Sequence, residues 1–108
     1  MGYIQYMEVR LLEEFADWLS SLRDSRARVK ITARLRRLSL GNPGDVAPVG
    51  EGVSEMRVDF GPGYRIYFLQ HGKTLAVVLG GGDKSTQAAD IKKALKLAAQ
   101  WKSENNAP

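Results

Sequence analysis

Residues 53 to 68, "VSEMRVDFGPGYRIYF", alternate apolar and polar side chains on both sides of Gly61, Pro62 and Gly63. A period of two sends successive side chains to opposite faces of a strand, and a glycine-proline turn between two such runs closes a β-hairpin. Around a three-residue loop, with Phe60 opposite Tyr64, Asp59 faces Arg65, Val58 faces Ile66, Arg57 faces Tyr67 and Met56 faces Phe68. One face of the ribbon is then apolar, while Arg57, Asp59, Arg65 and Tyr67 share the other. A one-residue slip would mix the two sets and bury charge, so burial cost alone favours this pairing.

Two arginines on one exposed face admit two readings. Either the face is solvated and Asp59 pairs with Arg65 across the strands, a contact worth roughly 0.2–1 kcal/mol, or the guanidiniums are aimed at a phosphate, which their planar fork fits. With helices expected on the apolar face only, the polar face is left open as a concave anion site.

The remaining elements follow from periodicity and punctuation. Residues 3 to 9, "YIQYMEV", alternate and predict a first strand. Leu11, Phe15, Trp18, Leu19 and Leu22 recur at helical spacing, and Asp24 or Ser25 can cap a second helix whose apolar stripe is Ala27, Ile31, Leu35 and Leu38. "GNPGD", residues 41 to 45, stops that helix. "VAPVG" reads as an edge strand because of Pro48, "TLAVVLG" is a continuous apolar run suited to a central strand, and "QHGK" turns into it. A last helix runs from a cap at Ser85 or Thr86 to about Trp101, and "SENNAP" reads as a frayed tail. Trp18 and Trp101 fall on apolar stripes as core anchors. His71 falls in a turn, and Glu13, Glu14 and Asp17 form a solvated helix face. The predicted order is β-α-α-β-β-β-β-α, an α+β single domain over residues 1–102 with a disordered tail at 103–108. It comprises a small antiparallel sheet, two N-terminal helices and a C-terminal helix.

A chain of 108 residues, 44% hydrophobic and 26% charged, has the composition of one folded domain. Its apolar runs are shorter than the roughly 18 residues that span a bilayer, and "MGYIQYMEVR" is unlike a signal peptide, so a cytoplasmic protein is expected. With no cysteine and one histidine, disulfides, thiol nucleophiles and cysteine-based zinc sites are excluded. The net charge of +4 favours anionic partners, and seven cations against one acid in residues 23–37 concentrate it. Arg26, Lys30, Arg34 and Arg37 on that helix are candidates for an RNA or ribosome contact, against the plainer reading of a solubilising surface.

"VVLGGGDKSTQ", residues 77 to 87, leaves the central strand through three glycines and enters a helix after Lys84, where backbone amides attract anions. The loop is not the G-x-x-x-x-G-K-S/T of nucleotide hydrolases, because Asp83 stands where the glycine before the lysine belongs. It is either a plain strand-to-helix turn or a means of placing Lys84 beside Arg57 and Arg65.

Taken together, "GDVAPVGEGVSEMRVDFGPGYRIYF" and "LGGGDKSTQAADIKKALKLA" resemble the RelE/HigB superfamily of bacterial toxin–antitoxin systems, in the branch of addiction-module killer proteins, over about Phe15 to Ala99. The resemblance implies a ribosome-dependent endoribonuclease that cuts messenger RNA without metal or other cofactor. It also implies a helix-turn-helix antitoxin partner in a toxin–antitoxin hetero-oligomer. Arg65 in "GYR" matches the family's phosphate-contacting arginine, Arg57 a cationic strand residue, and Lys84 the cation after the last strand. Attack of the RNA 2′-OH on its own 3′-phosphate would give a 2′,3′-cyclic phosphate and a 5′-OH, with these three cations stabilising the phosphorane. Family members often place a tyrosine, lysine or histidine near the start of the last helix or in the tail as general base. Here Ala89 and Asp90 stand there, so Asp90, Asp83 and Tyr67 are the substitutes. Two alternatives stay open: a toxin resembling ParE, which binds DNA gyrase without cutting nucleic acid, and a decayed toxin that only binds its antitoxin.

Overall fold

The computed structural model describes residues 6–105. Its elements are β1 (Glu8–Leu11), α1 (Glu13–Ser21), α2 (Ser25–Ser39), β2 (Val46–Gly50), β3 (Val53–Val58), β4 (Tyr64–His71), β5 (Leu75–Asp83), a 3-10 turn (Lys84–Thr86) and α3 (Gln87–Asn105). This is the expected α+β order. The first strand begins at Glu8 rather than near Tyr3, and residues 3–5 lie outside the described residues. Ser103 to Asn105, expected in the tail, continue α3, and residues 106–108 lie outside the described residues.

The strands form one sheet in the order β1-β5-β4-β3-β2. The four strands from β2 to β5 pair antiparallel, whereas β1 runs parallel to β5, with Glu8 opposite Leu75 and Leu11 opposite Val78. The expectation of a wholly antiparallel sheet is corrected at that edge. Parallel neighbours need a long crossover, and α1, α2 and three strands supply it. Pro48 lies in β2, at the opposite edge, where a missing N–H costs the sheet least.

Helices cover both faces of the sheet, not one. On the first face, Phe15 of α1 and Ile31, Leu35 and Leu38 of α2 pack against Met56, Val58, Ile66, Phe68, Ala76 and Val78. The stripe holds α2 in place, each fully buried Ile or Leu contributing about 1.5–3 kcal/mol. Asp24 caps that helix, its carboxylate accepting from the Arg26 amide at 2.9 Å. On the second face, Ala94 and Ala98 of α3 pack against Val53, Tyr67, Leu69, Val77 and Leu79. The physical reason lies in β5, whose apolar run sends Ala76 and Val78 into one core and Val77 and Leu79 into the other. A strand apolar on both faces needs cover on both. Trp18 and Trp101 pack against the first and second core respectively, and His71 meets Trp101 edge-on, with ring centroids 5.0 Å apart. None of the described helices is long and apolar enough to cross a membrane.

Candidate active site

The β3–β4 register sets the site. Val58 pairs with Tyr64, Arg57 with Arg65, Met56 with Ile66 and Glu55 with Tyr67. The connection therefore contains residues 59 to 63 rather than three residues, and it is tightened by the Gly63 amide donating to the Phe60 carbonyl at 3.1 Å. Asp59 sits in this loop, so the expected Asp59–Arg65 pairing does not form. The register differs from the expected one by two residues, and an even shift leaves every side chain on its predicted face. Arg57 and Arg65 thus share a face as anticipated, and they stand directly opposite each other.

That face is the one α3 covers. α3 begins beside it, and the Arg57 side chain keeps 43% of its surface exposed while Arg65 keeps 11%. Glu55 lies beneath them with 2% exposed, the one buried charged residue among those described. Its carboxylate accepts from Arg57 Nε at 3.2 Å and from Gln87 Nε2 at 2.5 Å, and it lies 3.9 Å from Arg65 Nε. Arg65 Nη1 donates to the Tyr64 carbonyl at 3.1 Å, while its Nε is buried without a hydrogen-bond partner among the described residues. Arg57 also lies 3.8 Å from the Asp45 carboxylate.

Lys84 packs on the hairpin loop between these arginines, at Gly63. Its amide donates to the Gly63 carbonyl at 3.1 Å, and its stem crosses Gly63 so closely that a Cβ there would lie 2.8 Å from Lys84 Cε. Gly63 also has φ +82°, a backbone conformation that favours glycine. The three glycines before Lys84 do not form a turn. They belong to β5, where Gly82 pairs with Arg65 and Gly80 with Tyr67. Above Gly82 lies Asp90, whose Oδ2 would be 2.0 Å from a Cβ on that residue. A bare strand position thus lets α3 bring a carboxylate down onto Gly82, the strand partner of Arg65.

The three candidate bases differ in availability. Tyr67 is fully buried, and its hydroxyl has no hydrogen-bond partner among the described residues. Burial, followed by the Glu55 and Asp90 carboxylates, pushes its pKa far above the phenol range. Asp83, not Ser85 or Thr86, caps the turn into α3. Its Oδ1 accepts from the Ser85 hydroxyl at 2.5 Å and the Ser85 amide at 2.8 Å, and these bonds hold its pKa below the usual carboxylate range. Asp90 is half-buried, with Oδ2 accepting from the Thr86 hydroxyl at 2.6 Å. Among the described residues no three His, Asp or Glu side chains converge as a metal site would require.

The chain matches the family described as phage derived protein Gp49-like over residues 17–102. It belongs to that family, a RelE-like toxin family. An uncharacterized protein of Haemophilus influenzae is 47% identical to this Gp49-like chain over 94 residues, covering 87% of the chain and 94% of the relative. Among solved structures, a mutant of the Escherichia coli toxin RelE in the free state superposes with a TM-score of 0.67, covering 86% of this chain and 97% of that one. At 17% identity that likeness is one of fold. Membership in a toxin–antitoxin family implies an antitoxin partner.

Two residues of the Gp49-like site went unpredicted. Glu55 was legible, since it lies two residues before Arg57 and alternation places both on one face. Gln87 carried no such signal, because only the packing of α3 across the sheet brings it to Glu55. The basic helix divides as well. Arg26, Lys30 and Arg37 are exposed, and the first two reach the Phe60 ring of the hairpin loop, at 6.0 Å and 5.2 Å from its centroid. Arg34 departs from the expected role. Its guanidinium donates to the carbonyls of Arg57 at 2.6 Å, Pro43 at 3.0 Å and Asp45 at 3.4 Å, anchoring the loop that ends α2. Burial and then Arg37 lower its pKa.

Proposed function

We propose that this Gp49-like toxin is a cytoplasmic, ribosome-dependent endoribonuclease that cleaves messenger RNA, restrained by a helix-turn-helix antitoxin. The observation that carries the reading is the cross-strand pair Arg57 and Arg65, at the end of the hairpin whose loop carries the Lys84 stem over Gly63. Three cations at one end of the β3–β4 hairpin suit a phosphate, and donors fixed before the reaction stabilise the charge that grows on it in the transition state. In this reading the 2′-oxygen bonds to phosphorus as the P–O5′ bond breaks. The 2′ proton passes to a carboxylate, and water protonates the departing 5′-oxygen. Of the candidate bases, Asp90 suits that role best, being half-buried and seated above Gly82, the strand partner of Arg65. Tyr67, fully buried, and Asp83, whose carboxylate is taken up by Ser85, suit it less. Arg26, Lys30 and Arg37 extend the positive surface from the hairpin loop along α2, where the ribosome's RNA would dock.

Primer extension on a reporter message, with and without translating ribosomes, tests this. Cuts that require both ribosomes and wild-type protein, and vanish with Arg65→Ala of unchanged thermal stability, are expected. Folded wild-type protein that makes no cuts in either reaction would overturn the assignment.

A further inference from the structure

Arg57 and Arg65 are strand partners, and like charges placed directly opposite each other repel. Left to themselves the two guanidiniums would splay into solvent. Glu55 occupies the position that prevents this, opposite Tyr67 and so two residues along β4 from Arg65 and two along β3 from Arg57, its carboxylate accepting from Arg57 Nε at 3.2 Å and facing Arg65 Nε as an ion pair at 3.9 Å. Its other oxygen is held by Gln87, the first residue of α3, at 2.5 Å. A carboxylate so thoroughly removed from water is costly unless charge and hydrogen bonds compensate it, so at this place it has to be matched by both arginines.

We infer that Glu55 is a positioning residue, a buried carboxylate that clamps Arg57 and Arg65 at a fixed separation and orientation and, through Gln87, fixes the start of α3 against them. It does not touch the substrate. The clamp engages the Nε side of Arg57, whose Nη1 lies 3.8 Å from the Asp45 carboxylate, and the half-exposed remainder of that guanidinium is the part that can meet a phosphate. Its tie to Gln87 also sets the helix that carries Asp90, so one side chain aligns the cations and the carboxylate of the proposed reaction. This role rests on the ribonuclease reading for its catalytic consequence but not for its structural one.

The test compares wild type, Glu55→Gln and Arg57→Ala, singly and combined, with two readouts. Nitrogen-detected magnetic resonance of the arginine side chains should show Nε–H signals of Arg57 and Arg65 that are sharp and slow to exchange in wild type. In Glu55→Gln they should be averaged, while the backbone spectrum is retained. Cleavage should fall about 10²-fold in rate at saturating ribosomes, with the half-saturating ribosome concentration little changed, as expected when reacting groups are misplaced. That loss should largely disappear when Glu55→Gln is added to Arg57→Ala, because residues acting through one another are not additive. Unchanged Nε–H signals in Glu55→Gln would refute the clamp. So would an equal loss of cleavage in both backgrounds. If wild type does not cleave at all, it is the ribonuclease reading that falls, and the clamp is then judged on the resonances alone.

Discussion

Replacing Arg34 with alanine should unfold this protein more readily rather than weaken its hold on RNA. Arg34 sits in the basic run of α2, but its guanidinium is spent on three backbone carbonyls, those of Arg57, Pro43 and Asp45, at 2.6, 3.0 and 3.4 Å. Hydrogen bonds from a charged group contribute about 1.5–3 kcal/mol each. The two shorter bonds therefore account for most of the effect, and discounting them for partial exposure leaves roughly 2–4 kcal/mol. Against the ~5–15 kcal/mol of a typical domain that is a large share, and at about 4–8 °C per kcal/mol the Tm should fall by at least ~8 °C. Arg34→Lys should rescue little, since a lysine cannot reproduce the fork that reaches several acceptors. Thermal unfolding by circular dichroism supplies the first number, and ribosome binding against salt, at a temperature where the variant is folded, supplies the second. Lys30→Ala is the control, expected to keep its Tm and lose affinity. An Arg34→Ala protein with wild-type Tm and a ribosome affinity reduced as much as that of Lys30→Ala would refute the argument.

Three further outcomes are expected. Tyr67→Phe removes a buried hydroxyl that has no partner among the described residues, so stability should hold or rise by up to about 1 kcal/mol in urea titrations; cleavage should survive, and its loss in a stable variant would make Tyr67 the base. Gly82→Ala puts a methyl group 2.0 Å from Asp90 Oδ2, which should cost about 1–3 kcal/mol and lower cleavage by displacing Asp90 from its seat over Gly82. Asp83 titrates below an ordinary carboxylate in the folded state, so its stabilisation of the start of α3 is in place above about pH 4 and is lost as pH falls through the folded value. Protection of the Ser85 amide should follow that loss in wild type and be pH-independent, and lower, in Asp83→Asn.

Much of the architecture was legible because it depends on local periodicity. The stripe Ala27, Ile31, Leu35 and Leu38 is buried as its spacing demands, and Met56, Val58, Ile66 and Phe68 share one core as their alternation demands. The hairpin shows the limit of such reasoning. Parity is a property of the strand, so the face assignment survived. The length of the loop is not, and its extra residues moved Arg57 from opposite Tyr67 to opposite Arg65. The second helical layer was foreshadowed by the unbroken run Ala76 to Leu79, though periodicity alone does not say which helix covers which side.

The sequence by itself determined the order of the elements, the sorting of charge from apolar surface along the hairpin, and the sharing of one face by Arg57 and Arg65, because each follows from neighbours a few residues away. Tertiary structure alone decided what those cations face. Gln87 meets Glu55 across 32 positions of chain, Arg34 turns to the carbonyl of Arg57 across 23, and Asp90 descends onto Gly82 only because α3 packs on the second face of the sheet. A charged side chain's partner is chosen by which groups share its low-dielectric neighbourhood once the chain has closed on itself, and no spacing in the sequence carries that information.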